Sequence, residues 1–179
     1  MTITEIKEEM MKLEDRLFVL SYRGEKNSSE YKEIKDEFNR LEDLYLINTS
    51  KLAVSNDEFN IYEGKDVSFR KKYYVTFPNS NRIIATIFAN YAEHINIFGN
   101  IGYEVKKKYR GHSIAYRALE NITPILVERG MKKGVICVNP YNIASINTAL
   151  KYGAKLVIKS PTPDGINQYE ADLVKKLTK

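Results

Sequence analysis

The chain is poor in the residues that build covalent or metal-held scaffolds: 179 residues contain no tryptophan, two histidines, five prolines and a single cysteine. With Cys137 alone, an internal disulfide and a cysteine-based zinc site are excluded. His94 and His112 stand at no ligand spacing, which argues against a metal centre. No uncharged run has the length a membrane helix needs. Glu5, Glu8 and Glu9 make the first residues unlike a secretory signal or a transit peptide. A reducing, cytoplasmic location is therefore expected, and the Asn-x-Ser/Thr triplets at Asn27, Asn48 and Asn121 are read as chance matches. No internal repeat or strong linker divides the chain, so residues 1–179 are read as one domain.

What is present is ordinary for a soluble globular protein, at 43% hydrophobic and 28% charged. The charge is uneven. Residues 1–50 hold 8 Lys/Arg against 12 Asp/Glu, a net of −4, whereas residues 51–179 hold 20 against 11, a net of +9. Most charge runs are solvated faces, but a basic body also suits an anionic ligand.

Residues 1–50 carry two helical stripes, Ile3, Ile6, Met10, Leu13, Leu17 and Leu20, then Tyr31, Ile34, Phe38, Leu41 and Tyr45. Thr2 with Glu5 and Asn27 with Glu30 have capping-box spacing, and Gly24 separates the runs. An antiparallel helical pair is expected. Residues 50–66 read as polar and irregular. Strands are expected at Tyr73–Phe77, Arg82–Ala89 and Ile95–Val105, with a turn at Pro78-Asn79-Ser80-Asn81 and a bulge at Phe98-Gly99-Asn100. A helix follows Gly111 and ends at Gly130, with Pro124 predicting a bend near Glu120 or a break. Gly134–Val138 reads as a buried strand and Asn142–Tyr152 as a helix stopped by Gly153. Ala154–Lys159 and Ile166–Val174 read as closing strands around the turn 161–165.

The most informative stretch runs from Ile101 to Ala115: a strand, the basic turn Lys106-Lys107-Lys108-Tyr109-Arg110-Gly111, and the start of a helix. A helix N-terminus offers unpaired N–H groups and partial positive charge, a setting in which phosphates bind.

Ile101-Gly102-Tyr103, Val105 and Tyr109-Arg110-Gly111-His112-Ser113 resemble the cofactor loop of the GNAT superfamily of acetyl-CoA-dependent N-acyltransferases. Asn142-Ile143-Ala144-Ser145 followed by Lys151-Tyr152-Gly153 resembles that family's second-helix pattern. The likeness spans about Phe88 to Asp172. The family loop reads Gln/Arg-x-x-Gly-x-Gly/Ala, and those positions here are Lys108, Gly111 and Ser113. The resemblance implies an α/β (α+β) fold. Its central mixed, mostly antiparallel twisted sheet is flanked by helices. Residues 1–50 form the N-terminal helical pair and residues 67–179 the sheet and cofactor-binding core.

It also implies acetyl-CoA as cofactor, with coenzyme A as product, held by Tyr103, Val105, Lys108, Arg110, Gly111, His112, Ser113 and Asn142. The strand Ile101–Val105 would pair its free edge with the pantetheine arm if it splays from Gly134–Val138. Many members place a tyrosine four residues before the helix-end glycine as proton donor; here that position is Ala149. Ser145 corresponds to the serine that relatives of the ribosomal-protein acetylase type use, and it is equally readable as a first-turn serine satisfying backbone groups. Asn142 is both a favoured N-cap and a candidate cofactor contact. Tyr152 is an alternative donor or a packed residue. Glu104, at the strand end, is the candidate general base or a solvent-facing carboxylate. Glu93 and His94 fall near an expected hairpin. Lys106, Lys107 and Lys108 read as a solvated strand end, as steering charges for an anionic cofactor, or, together with Arg70, Lys71 and Lys72, as phosphate contacts with nucleic acid.

The implied activity is transfer of an acetyl group to a primary amine on a small molecule or a protein. The alternatives are a GNAT-fold protein that binds acyl-CoA or a partner without turnover, and a basic nucleic-acid-binding domain. Nucleic acid and membrane are not the expected partners, and a homodimer is left open.

Overall fold

The computed structural model describes residues 1–65, 70–91, 99–162 and 165–178. The expected strand start at Ile95, Phe98 of the bulge, Glu93 and His94, and Pro163-Asp164 of the last turn lie outside them.

Two helices open the chain, α1 (Ile3–Tyr22) and α2 (Ser29–Asn48). The Thr2–Glu5 capping box forms as expected. The second cap is Ser28, whose hydroxyl accepts from Tyr31 N–H, not Asn27. The stripes close on each other: Ile6, Leu13, Leu17 and Leu20 pack against Ile34 and Leu41 in a small core of their own.

This helical pair is fastened to the rest by Asp43, whose side chain is 3% exposed. Its carboxylate takes Lys106 at 2.7 Å and Arg82 at 3.3 Å and accepts the Ile83 N–H at 3.2 Å. Replacing it leaves a buried donor without a partner and two cations without an anion. Asp43→Ala is expected to cost about 2–3 kcal/mol, roughly 5–10 °C in midpoint for a domain of this size. Thermal unfolding followed by circular dichroism measures it.

Residues 51–63 contain two short strands where an irregular segment was expected: β1 (Lys51–Ser55) and β2 (Asn60–Glu63). They form a hairpin around Asn56, whose carboxamide oxygen accepts the N–H groups of Glu58 and Phe59. Then come β3 (Arg70–Thr76), β4 (Ile83–Asn90) and β5 (Ile101–Val105), and these five strands make an antiparallel sheet in chain order. Helix α3 (Ile114–Glu128) follows, then β6 (Lys133–Val138), α4 (Ile143–Lys151), β7 (Lys155–Ile158), β8 (Asn167–Asp172) and α5 (Leu173–Leu177). Strands β6, β8 and β7 form a second antiparallel sheet. The last strand therefore ends earlier than expected, at Asp172, which caps α5 by accepting from Lys175 N–H.

Helix α3 is not broken at Pro124. Its apolar face (Ile114, Ala118, Leu119, Ile122 and Leu126) is buried in the main core with Tyr73, Val75 and Ile87 of the first sheet. Burial of each large chain contributes about 1.5–3 kcal/mol, together well above the roughly 3 kcal/mol an interior proline costs. Pro124 itself is exposed, so the carbonyl it leaves unpaired lies toward water. Among the described residues, no helix is long and apolar enough to cross a membrane.

Candidate functional site

The site grows from a strand paired on one side only. On its β4 side, β5 opposes Phe88 with Gly102 and Thr86 with Glu104, and the flanking bonds run from Lys106 N–H to Ile84 O and from Asn90 N–H to Asn100 O. The even-numbered positions of β5 therefore exchange the ladder bonds. By alternation, Ile101, Tyr103 and Val105 turn their N–H and C=O groups away from β4.

On that free side lies β6, but the two strands meet only at the beginning of β5. Gly99 bridges Ile136, Asn100 N–H donates to Val135 O at 3.0 Å, and the Asn100 carboxamide binds Val135 N–H at 2.6 Å and Lys133 O at 2.9 Å. A Cβ at Gly99 would run into the Val135 carbonyl, so the clasp requires glycine there. Beyond it β5 and β6 belong to different sheets. The expected parting of these strands is observed.

The basic turn closes the far end of the gap. A 3₁₀ turn at Lys107–Tyr109 leads to Gly111 at φ +88° and Ser113 at φ +55°, after which α3 begins. Side chains hold the loop from outside. Arg110 Nε donates to Val105 O, the Arg117 guanidinium to His112 O, and Lys151 Nζ to Ser113 Oγ. None of the backbone N–H groups from Gly111 to Tyr116 has an acceptor among the described residues. Six adjacent donors at a helix start, with cations around them, make a cradle of the kind in which anions bind.

A cavity of about 360 Å³ joins cradle and gap. Eight of the sequence-predicted residues reach it: Tyr103, Glu104, Val105, Arg110, Gly111, Ser113, Asn142 and Ser145. Two do not. Lys108 is exposed with its ammonium 5.5 Å from the Tyr109 ring, and His112 is exposed and contributes its carbonyl to Arg117. The lysine triplet also divides, because Lys106 is committed to Asp43. Tyr109 and Thr148 line the cavity too, and Lys151 fixes Ser113; Tyr109 and Lys151 lie within the family-like motifs, but none of the three is among the candidate site residues of the sequence.

Within the cavity α4 is set by its cap. Asn142 Oδ1 accepts the Ser145 N–H at 3.1 Å, the N-cap role open to it in the sequence. That places Ser145 Oγ 3.3 Å from the Tyr103 hydroxyl, which in turn donates to Ser145 O at 2.9 Å. Burial pushes the Tyr103 phenol above its ordinary range. Glu104 is exposed at the rim.

Tyr152 is a packed residue, fully buried, with its hydroxyl 2.6 Å from Thr123 Oγ1 and its pKa pushed up to about 12 by burial. Tyr152→Phe is expected to lower stability by about 1 kcal/mol, the net worth of one hydrogen bond, and to leave any turnover rate unchanged; urea unfolding and a rate assay read the two effects. Ala149, the position of the missing tyrosine, is likewise buried. Burial also raises the Cys137 thiol, which disfavours its nucleophilic thiolate.

The parted strands, the loop amides and the capped second helix thus meet around one cavity. The model of the acetyltransferase (GNAT) family matches residues 20–154, more than half of the chain, and the protein belongs to that family. No curated protein sequence matches it. Among solved structures it is similar to a chimera of the spermidine N-acetyltransferase SpeG from Vibrio cholerae and hSSAT (9% identity, 63% of this chain and 72% of that one, TM-score 0.51). It is also similar to a domain from Methanocaldococcus jannaschii (18%, 60% and 69%, 0.50). A third likeness is to RimL, a ribosomal L7/L12 α-N-protein acetyltransferase in complex with coenzyme A (22%, 58% and 62%, 0.48). The chain thus spans less than two thirds of RimL's length.

Proposed function

We propose that the protein is an N-acetyltransferase that moves an acetyl group from acetyl-CoA to a primary amine of a small molecule or protein by direct attack. The observation that carries this reading is the row of unpartnered N–H groups from Gly111 to Tyr116 opening onto the unpaired edge of β5. Bound acetyl-CoA would supply a thioester carbonyl open to attack by an amine.

The chain's own residues supply the rest. The amides of Gly111 to Ser113 hold the pyrophosphate, with Arg110 and the surrounding lysines adding charge. Tyr103 offers its N–H and C=O, and Val105 its N–H, to the amide-bearing arm on the free edge, as a sheet edge does to an added strand; the Val105 carbonyl is already taken by Arg110. Asn142 fixes the start of α4 and with it Ser145. Glu104 accepts the proton the amine must lose, and the Ser145 hydroxyl donates one toward the departing sulfur.

Ser145→Ala is expected to lower kcat about 10²-fold with little change in the KM for acetyl-CoA, measured by thiol release. The reading as a whole is tested by incubating the protein with acetyl-CoA and a panel of primary amines. Release of coenzyme A with one of them supports it. Binding of acetyl-CoA without release across the panel favours the non-catalytic alternative, for which the absent tyrosine at Ala149 speaks.

A further inference from the structure

The two faces of β3 carry cations in different states. Toward α3, Lys71 is neutralised by Glu63 at 2.7 Å, which also takes the Arg129 guanidinium. On the opposite face stand Arg70 and Lys72, one pleat apart. Neither has an ion pair among the described residues, and Lys65 has none either. Lys72 opposes Phe88, and Phe88 opposes Gly102 of β5. The Lys72 ammonium lies 5.9 Å from the Phe88 ring.

These residues wall a second cavity of about 640 Å³, lined by Lys65, Arg70, Lys72 and Phe88 and reaching β5 at Asn100 and Gly102. Among the described residues its lining contains three cations and no acid. It meets β5 beside the clasp with β6, the end of the gap remote from the Gly111 cradle. Glu104 follows Gly102 on the same face, roughly 6–7 Å along the strand.

We infer that this cavity receives the acceptor, and that the acceptor is an amine bearing a carboxylate or another anionic group, held by Arg70, Lys72 and Lys65. The inference rests on the acetyl-transfer reading. Arg70 offers the planar fork that pairs a carboxylate twice over, and Phe88 gives an apolar floor to the atoms between acid and amine. The amine is then directed toward β5 and Glu104. A nitrogen–carbon bond forms to the acetyl group as the carbon–sulfur bond breaks; the amine's proton passes to Glu104, and the sulfur leaves as the thiol of coenzyme A. A polyamine would bring its charges against three cations that have no ion pair among the described residues, and is disfavoured.

The test uses the full chain with coenzyme A present and measures direct binding by calorimetry. The probes are a free-amine peptide with two glutamates after its first residue, its glutamine and lysine counterparts, free glutamate, and spermidine. The acidic peptide or free glutamate is expected to bind roughly ten-fold more tightly than the neutral and basic probes, about 1.4 kcal/mol. Free glutamate binding as well as the peptide identifies a small acceptor; the peptide alone identifies a protein terminus. Arg70→Glu with Lys72→Glu should invert the preference, and Arg70→Gln with Lys72→Gln should erase it, both leaving acetyl-CoA affinity within about two-fold. Equal or tighter binding of the neutral peptide, the lysine peptide or spermidine overturns the inference, as does no binding of either acidic probe at millimolar concentration. Coenzyme A release is scored separately with acetyl-CoA. Release from spermidine without an acidic preference sinks the pocket and spares the transferase reading. An acidic preference with no release from any amine sinks the transferase reading and spares the pocket.

Discussion

Gly111→Glu is expected to abolish stabilisation by acetyl-CoA. A ligand that binds only the native state stabilises it by about 2.7 kcal/mol at a hundred times its dissociation constant. For a domain of this size that is a rise of about 5–11 °C in midpoint. Gly111 sits at φ +88° with nothing within 4 Å of where a Cβ would stand. A side chain therefore finds space but pays backbone strain of about 1–2 kcal/mol. Gly111→Ala separates the effects: it should lower the midpoint of the free protein and keep most of the acetyl-CoA shift. Gly111→Glu adds a carboxylate where the phosphates are proposed to sit and should lose the shift altogether. A Gly111→Glu protein that is still stabilised by acetyl-CoA to the wild-type extent would place the nucleotide elsewhere.

Glu104→Gln should reduce kcat by about 10²–10⁴-fold, the usual range for a positioned general base. The carboxamide keeps the size of the side chain and removes only its capacity to take a proton. Because the Glu104 carboxylate is exposed and has no hydrogen-bond partner among the described residues, folding stability should stay within about 0.5 kcal/mol. The KM for acetyl-CoA should also hold, since Glu104 lies at the cavity rim and not at the amide cradle. Steady-state kinetics across the amine panel checks this. An unchanged kcat would return Glu104 to the role of a solvated carboxylate.

The local rules reached far in this sequence where a short pattern dictates a backbone. The Thr2–Glu5 box, the Gly111 turn, the Asn142 cap and the stop at Gly153 each follow from three to five residues, and each is present. The site was legible for the same reason: a basic glycine turn between strand and helix can do little but expose amides. What escaped depends on distant partners. Strands β1 and β2 are short and polar, and they exist because β2 lies against β3 and buries Ile61 in the core. Pro124 predicted a bend or a break, and α3 runs unbroken through it because its apolar face is buried. No local pattern marks Asp43, which receives Lys106 from a turn 63 residues away. The run Arg70-Lys71-Lys72 was legible as charge, but not the cavity, because Lys65, Arg70, Lys72 and Phe88 converge only through strand register.

The central claim is that the amides beginning at Gly111 bind a nucleotide diphosphate beside the open edge of β5. Titrating ¹⁵N-labelled protein with coenzyme A, and separately with pantetheine, measures this amide by amide. The account predicts that coenzyme A shifts the Gly111 to Tyr116 resonances most, together with Ile101, Tyr103 and Val105, and that pantetheine shifts only the β5 group. Unmoved loop amides at millimolar coenzyme A, or shifts confined to another surface, would contradict it.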